Sequence, residues 1–406
     1  MNILFSCDEY PPAKTGGIGA ATKVVAENLA ARGHKVYVVS GRLDKSLPEE
    51  AVINGVTVYR LYLMQEISWL FKDNPLCIHL HNFITSKGWL SGKAVMEYKR
   101  KQDFMEGIIR EKSIDVVEVP DYTILSKYYS SFRLLEYPRF SVPSVARVHG
   151  SVSFLEYYRT GSIKPMSRTN DTAFFNSVDN ILSVSSFAGR FVNEVLGVSR
   201  QCDVIYNPFT YSPKSEIETE RDNIIVFLGK IVKTKGAFNL LEAFNTFAKK
   251  YPDYKLIMIG GGDIDCGRKI VNPELLHRVV FTGYLSKREI EEYLRRAAFC
   301  VIPSYFENFS MAALEVMGAG NILIYTKETS GPEVIDDGIN GFLIDPHNPD
   351  SISEKMTFVA NHLELLADMR SVAQKSIITR FSEQVIIEKL ERYYLEITKK
   401  TASYEK

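Results

Sequence analysis

The sequence predicts an α/β protein of two domains, each built on a parallel sheet. Short apolar runs, typical of buried strands, alternate with helical segments along the chain. This alternation stops at a polar stretch, residues 207–222, and then starts again. The 406 residues suffice for two hydrophobic cores. Strands that alternate with helices pair in parallel, because a parallel connection needs a long crossover.

Seven apolar runs mark the strands of the first domain, residues 1–206. Each run is too short for a stable helix and is bounded by glycine, proline or polar residues. The predicted strands are Asn2–Cys7, Lys35–Ser40, Val56–Leu63, Asp115–Val119, Ser144–Val148, Asn180–Val184 and Asp203–Tyr206. The predicted helices are one that ends near Gly33, one from about Leu90 to Glu111, and Ser186–Leu196.

Residues 207–222 contain two prolines and no apolar periodicity, which predicts a linker. The second domain, residues 223–381, then repeats the pattern. Its predicted elements are the strands Ile224–Leu228, Lys255–Ile259, Val279–Phe281, Phe299–Ile302 and Asn321–Tyr325 and the helices Gly236–Lys250 and Met311–Met317. Residues 382–406 have apolar residues at helical spacing, which predicts a surface helix, followed by a disordered tail from Thr401.

Composition and charge disfavour several classes of protein. The net charge of zero argues against nucleic acid as the main partner. The five cysteines form no C-x-x-C, so neither a disulfide framework nor a zinc site is expected. We expect neither a signal peptide nor a membrane span, because Met1–Cys7 lacks a basic start and no apolar run is long enough. A cytoplasmic protein is expected, and the aromatic and basic region 122–168 could contact an acceptor or a membrane surface.

Two carboxylates, Glu307 and Glu315, bracket the start of the predicted helix Met311–Met317. Glu307 follows a predicted strand, and open parallel sheets bind ligands at the carboxyl ends of their strands. The amides near Ser310 and Met311, at the positive end of the helix dipole, suit a phosphate. Carboxylates suit hydroxyl groups, because they only accept hydrogen bonds. A sugar joined to a phosphate fits both parts, although two ordinary solvated acids would give the same pattern.

Lysines follow the first predicted strand of the second domain. The loop runs from Gly229 to Gly236 and carries Lys230, Lys233 and Lys235. Lysines in this place could stabilise a diphosphate leaving group without a metal, or they could form a solvated face. The only D-x-D pair that we considered, Asp263 and Asp265, lies in a glycine-rich loop and carries little weight as a metal site.

A glycine-rich loop follows the first strand of the first domain. Gly16 and Gly17 could bring the backbone close to a phosphate. A dinucleotide-binding loop is the alternative, but Thr22 stands where a third glycine is needed, and the second strand ends without an acidic residue. The sequence therefore disfavours a nicotinamide-dependent enzyme.

The segment E-N-F-S-M-A-A-L-E, residues 307–315, resembles the Glu-x7-Glu signature of retaining nucleotide-sugar glycosyltransferases of family 4. Asn308 and Ser310 stand where that family usually has glycines. Residues 229–236 are similar to the family's G-R-x-x-x-x-K-G, with Lys230 in place of the arginine and Lys235 in register. Asn207-Pro208 resembles the entrance to the family's linker.

Two further positions match the family. His149 resembles the histidine that contacts the transferred sugar, and Tyr284-Leu285 matches the position that holds the nucleobase. The catalytic residues that the resemblance implies are Glu307, His149 and Lys235. The implied donor-binding residues are Gly16, Gly17, Gly229, Lys230, Lys235, Tyr284, Leu285, Glu307, Asn308, Phe309, Ser310, Met311 and Glu315.

The resemblance implies a GT-B fold, in which two Rossmann-like domains face each other across a cleft and the last helix returns to the first domain. It implies metal-independent, retaining transfer of a hexose from a nucleotide-diphosphate donor, a UDP-sugar rather than a GDP-sugar, with no cofactor. The expected acceptor is a carbohydrate or a lipid-linked molecule in bacterial polysaccharide or glycoconjugate assembly. A nucleotide-sugar epimerase on the same fold and a non-catalytic sugar-nucleotide-binding protein remain the alternatives.

Overall fold

The computed structural model describes residues 1–12, 16–41, 46–61, 91–122, 139–210 and 221–404. Most of the predicted linker and residues 123–138 of the aromatic and basic region lie outside the described residues. The chain divides into two compact units. The first consists of Met1–Pro208 and Glu383–Lys406, and the second is Phe209–Ser382.

The first unit is built on a sheet of eight described strands. They are β1 (Asn2–Ser6), β2 (Lys35–Gly41), β3 (Glu50–Ile53), β4 (Val56–Leu61), β5 (Val116–Pro120), β6 (Ser144–Val148), β7 (Asn180–Ser183) and β8 (Cys202–Val204). Their order in the sheet is β3-β4-β2-β1-β5-β6-β7-β8. All pairings are parallel except β3 with β4. Strand β3 was not predicted, because only alternate residues of this edge strand are partly buried and it has no continuous apolar run.

Helices cover this sheet. They are α1 (Gly17–Ala31), α2 (Ser91–Lys112), α3 (Val152–Thr160), α4 (Pro165–Ser177) and α5 (Ser186–Arg190). The predicted single helix Ser186–Leu196 is wrong in detail, because α5 continues as a π-helical turn, Phe191–Val195. Helices α3 and α4 were not predicted. The aromatic residues of α3 pack on one another and on Phe187 and Phe191, with ring centroids 4.7–6.0 Å apart.

The last helix of the chain belongs to the first unit. This C-terminal helix, Glu383–Tyr404, packs against α1. Its apolar face, which includes Ile386, Leu390 and Tyr394, is buried in the core of the first sheet. The helix extends to Tyr404, so the disordered tail expected from Thr401 is wrong over those residues. Extending an existing helix fixes one residue for each hydrogen bond gained, whereas a new helix would need a nucleus.

The second unit is built on six described strands, all paired in parallel. They are β9 (Asp222–Leu228), β10 (Lys255–Ile259), β11 (Val279–Gly283), β12 (Ala297–Ile302), β13 (Leu323–Thr326) and β14 (Phe342–Ile344). Their order is β11-β10-β9-β12-β13-β14. This is the doubly wound order of a Rossmann-like fold, and its strand order reverses between β9 and β12.

The helices of the second unit pack on both faces of that sheet, as its crossover connections require. They are α6 (Ala237–Lys250), α7 (Ile264–Ile270), α8 (Lys287–Arg296), α9 (Met311–Gly318), α10 (Gly331–Val334), α11 (Pro349–Asn361) and α12 (Ala367–Phe381). Two 3-10 helices, Lys233–Lys235 and Pro273–Arg278, complete the unit. None of the helices within the described residues of the chain is long and apolar enough to cross a membrane.

Candidate functional site

The loops that follow β9 and β12 are packed together at the point where the strand order reverses. The backbone amide of Tyr305 donates to the carbonyl of Thr234, 3.0 Å away. Gly236, at a φ of +65°, lies so close to Pro303 that an added Cβ would be 1.8 Å from the proline carbonyl oxygen. No side chain fits in that space, and glycine adopts the positive φ without strain. The sheet thus joins two loops that are far apart in sequence.

Lys235 and Glu307 meet between these loops. The Lys235 Nζ donates to Glu307 Oε1 across 2.6 Å, and their side chains are 30% and 15% exposed. The Ser304 hydroxyl donates to the same oxygen across 3.1 Å. Among the described residues, none donates a hydrogen bond to Glu307 Oε2. One carboxylate oxygen is therefore anchored, and the other is available to a ligand hydroxyl.

The backbone of Glu307 is held by the loop that follows β13. Its amide donates to Thr329 Oγ1 across 3.1 Å, and its carbonyl accepts from Ser330 Oγ across 3.0 Å. None of Ser304, Thr329 and Ser330 was among the predicted site residues. All three follow a strand at its carboxyl end, which is the signal that could have found them.

The start of α9 is capped by the side chain of Ser310. Its hydroxyl accepts from the amide of Ala313, 3.4 Å away. Helix geometry leaves the amides of Met311 and Ala312 without an intrahelical acceptor. Phe309 is buried, with its ring centroid 5.3 Å from that of Phe381, and Asn308 is partly buried. The first turn of α9 therefore offers the amides of Met311, which the prediction included, and Ala312, whereas the Ser310 side chain already binds the amide of Ala313.

Glu315 lies on α9 and is partly buried. Burial raises the pKa of its carboxyl group; nearby Lys287 opposes this, while Glu291 adds to it. Among the described residues, none forms a hydrogen bond or an ion pair with the carboxyl group of Glu315. A partly buried carboxylate without such a partner is a candidate for binding ligand hydroxyls.

Three neighbouring loops are joined through their backbones. The amide of Gly229 donates to Ile259, that of Gly260 to Gly283, and that of Ile231 to Gly261, at 2.9–3.0 Å. An added Cβ at Gly260 would lie 2.1 Å from the Gly229 carbonyl oxygen, so these loops approach as closely as glycines allow.

Of the other predicted donor-binding residues in this unit, Tyr284 is 80% exposed and its ring lies over Gly261, where a Cβ would come within 2.5 Å of it. Leu285 is partly buried and Lys230 is exposed. Lys230 forms no ion pair with a described residue.

In the first unit, Gly16 is the N-cap of α1 and Gly17 is its first residue. The Gly16 amide donates to Glu9 Oε2 across 2.8 Å, and that oxygen would lie 2.8 Å from a Cβ added to Gly16. Gly17 has open space around it, with no atom within 4 Å of an added Cβ. A carboxylate of the chain thus already binds the amide of the N-cap residue of α1.

His149 follows β6, and its backbone is held by Asp121. The Asp121 carboxylate accepts from the amides of His149 and Gly150, at 2.8 and 3.1 Å. Burial raises the pKa of Asp121 to about 7, although these two hydrogen bonds oppose the rise. Burial, together with nearby Arg147, lowers the pKa of His149 to about 3. Its imidazole is therefore neutral at physiological pH, and Asp121 is a residue that the sequence analysis missed.

The aspartates of the glycine-rich loop are exposed. The Asp263 amide donates to the Ile231 carbonyl, and Asp265 lies 4.0 Å from Arg268. Over the described part of the chain, no three His, Cys, Asp or Glu side chains are grouped as a metal ion requires.

Family models match both units. A model described as Glycosyl transferases group 1 matches residues 210–376, and one described as Glycosyltransferase Family 4 matches residues 15–210. The chain belongs to glycosyltransferase family 4. This glycosyltransferase has the GT-B fold that the resemblance implied, and the predicted enzyme class is confirmed.

Curated relatives span nearly the whole glycosyltransferase. An uncharacterised glycosyltransferase of Methanocaldococcus jannaschii is 26% identical, with 94% of this chain and 95% of the relative aligned. The N-acetyl-alpha-D-glucosaminyl L-malate synthase of Bacillus anthracis is 23% identical over 98% of this chain and 97% of the relative.

Solved structures share the fold. Sucrose-phosphate synthase from Thermosynechococcus elongatus superposes with a TM-score of 0.72 at 14% identity, covering 98% of each chain. Anabaena HepE in complex with UDP superposes with a TM-score of 0.68 at 15% identity, covering 98% of this chain and all of that chain (100%).

Proposed function

We propose that this glycosyltransferase moves a hexose from a nucleotide-diphosphate donor to a carbohydrate or lipid-linked acceptor, with retention of the anomeric configuration. The observation that carries the proposal is the contact of Lys235 with Glu307, 2.6 Å long, at the strand-order reversal of the second sheet. A cation beside a carboxylate with one available oxygen suits a donor that carries phosphates next to sugar hydroxyls.

In the proposed reaction the bond between the anomeric carbon and the diphosphate oxygen breaks. A bond from the acceptor oxygen to that carbon forms on the same face, and the acceptor proton passes to the departing phosphate. Negative charge grows on the diphosphate, where Lys235, Lys230 and the amides of Met311 and Ala312 would stabilise it. Glu307 would bind the hexose and Glu315 the ribose. The neutral imidazole of His149 suits hydrogen bonding to the transferred sugar.

A uridine diphosphate donor is the form that we propose. The exposed ring of Tyr284 beside Gly261 offers an apolar surface next to the proposed phosphate site. A neighbour of the same fold, Anabaena HepE, has been solved with UDP, which supports the proposal for this chain. We further propose that the enzyme works in the cytoplasm in polysaccharide or glycoconjugate assembly, and that its first unit could contact the inner face of the membrane.

A donor screen tests the function. The purified chain is incubated with UDP-, GDP- and ADP-sugars, with and without a mixed set of carbohydrate acceptors, and free nucleotide and product sugar are quantified. We expect release of UDP that increases when an acceptor is present. A changed sugar still attached to its nucleotide would instead identify an epimerase. Tight binding without release of nucleotide or change of sugar would identify a non-catalytic binding protein.

We also expect transfer to need no metal ion. Lysines and helix amides offer the positive charge that a metal supplies in other transferases. Initial rates with and without EDTA, in otherwise identical buffer, should agree. Loss of activity that magnesium or manganese restores would overturn this expectation and make Asp263 and Asp265 candidates for ligands.

A further inference from the structure

The loop that follows β13, residues 327–330, reaches across to the loop that follows β12. It satisfies both backbone polar groups of one residue, Glu307, with two adjacent hydroxyls. Backbone groups are usually paired with other backbone groups. Here two side chains from a neighbouring strand's loop hold the residue whose carboxylate contacts Lys235.

We propose that Thr329 and Ser330 are positioning residues, whose hydroxyls fix the backbone from which the Glu307 carboxylate extends. The inference rests on the proposed function of Glu307 as the residue that binds the transferred hexose. Ser304 and Lys235 hold one carboxylate oxygen at its outer end, and Thr329 and Ser330 hold the main chain at its base. The side chain is therefore restrained at both ends.

Thr329 adopts a backbone conformation that its side chain disfavours. Its φ is +57°, a left-handed value that is rare for a β-branched residue. Such a conformation persists only where the surroundings enforce it, and it tends to occur at functional sites. Glycine would adopt this φ without strain but would bring no hydroxyl. Compared with glycine, threonine at this position adds a hydroxyl that accepts a hydrogen bond from the Glu307 amide.

The hydroxyl of Ser330 does not cap the helix that Ser330 precedes. Ser330 stands at the N-cap of α10, where a serine hydroxyl commonly accepts from an amide of the first turn. No such bond forms, and the fully buried hydroxyl donates to the Glu307 carbonyl instead. The Ser330 side chain thus binds the backbone of the neighbouring loop rather than an amide of its own helix.

The loop that carries these hydroxyls is itself restrained. Lys327 Nζ donates to Asp345 Oδ2 across 2.9 Å, and Glu328 lies 3.2 Å from the His347 ring nitrogen. Gly331 fits so closely that an added Cβ would be 1.8 Å from the Thr326 carbonyl oxygen. Because the loop is restrained, its two hydroxyls can hold the Glu307 backbone in one place, which a mobile loop could not do.

The test compares Thr329→Val, Thr329→Ser, Thr329→Gly and Ser330→Ala with Thr379→Val, a control that removes an exposed hydroxyl of α12 that donates to the Lys375 carbonyl and does not contact Glu307. For each we would measure kcat, the donor KM, the melting temperature and the hydrogen exchange of the backbone amides at 304–310. Thr329→Val should lower kcat about ten- to a hundredfold, as expected for a slightly misplaced group, and raise exchange at Glu307. Ser330→Ala should change both readouts in the same directions, while Thr329→Ser and the control should stay close to wild type.

Thr329→Gly separates positioning from stability. It relieves the positive φ, so this variant should melt at or above the temperature of Thr329→Val, yet its kcat should be equally low. If kcat of the glycine variant returns to the wild-type value, or if exchange at Glu307 does not change in the valine variant, the positioning role is overturned. A wild-type chain that turns over no nucleotide sugar would overturn the proposed function instead, and the exchange measurement would still test the two hydroxyl contacts.

Discussion

Lys235→Ala is expected to lower kcat for sugar transfer by a hundredfold or more, about 3 kcal/mol, comparable to the loss of one preorganised transition-state donor. Negative charge develops on the diphosphate as its bond to the sugar breaks, and the cation would be in place beforehand. The same substitution removes the partner that lies 2.6 Å from Glu307 Oε1 and leaves that oxygen with Ser304 alone. Both effects lower the rate of the chemical step.

The matched control for this variant is Lys233→Ala. Lys233 belongs to the same 3-10 helix, is exposed, and forms no ion pair with a described residue. Its removal changes the net charge by the same amount, so a rate that falls only in Lys235→Ala cannot come from net charge. Nucleotide-sugar turnover that stays at the wild-type level in Lys235→Ala would remove the assignment of the donor phosphate site.

Glu307→Gln and Glu315→Gln should affect different kinetic constants. Contacts to the hexose strengthen as positive charge grows at the anomeric carbon, so the change at Glu307 should lower kcat. The ribose is remote from the reacting bond in both the ground and transition states, so the change at Glu315 should mainly raise the donor KM. Each charge-assisted hydrogen bond contributes about 1.5–3 kcal/mol, so each effect should be about ten- to a hundredfold.

Steady-state kinetics with varied donor would measure kcat and KM for both variants. Glu291→Gln is the control, because it makes the same change of residue type at an exposed acid of α8 that is outside the proposed donor site. It should leave both constants near wild type. The roles are reversed if Glu315→Gln loses kcat at an unchanged KM and Glu307→Gln behaves like wild type.

Sequence patterns predicted the strands near the candidate site because those strands are buried on both faces. The runs Ile224–Leu228, Lys255–Ile259 and Phe299–Ile302 each fall within an observed strand. Burial on both faces gives a continuous apolar run, which is visible without any tertiary information. The short strand β14 was missed, because three residues give too little signal to separate a strand from a turn.

Residue patterns alone predicted two α/β units with parallel sheets, and they placed Lys235 and Glu307 after strands and Glu315 about one turn into a helix. These properties depend on local residue types, such as apolar runs, glycines and helix formers, and local types are what a single sequence records.

The contacts between loops, in contrast, are visible only in the folded structure. The order β11-β10-β9-β12-β13-β14 places the loop of Lys235 beside that of Glu307, and the loop of Thr329 and Ser330 beside it on the other side. The same holds for Asp121 and His149, which are brought together by the pairing of β5 with β6. Strand order depends on how whole elements pack into a core. A hydrogen bond between a hydroxyl and the backbone produces no periodic pattern in the sequence. Neither could therefore be predicted from residue patterns.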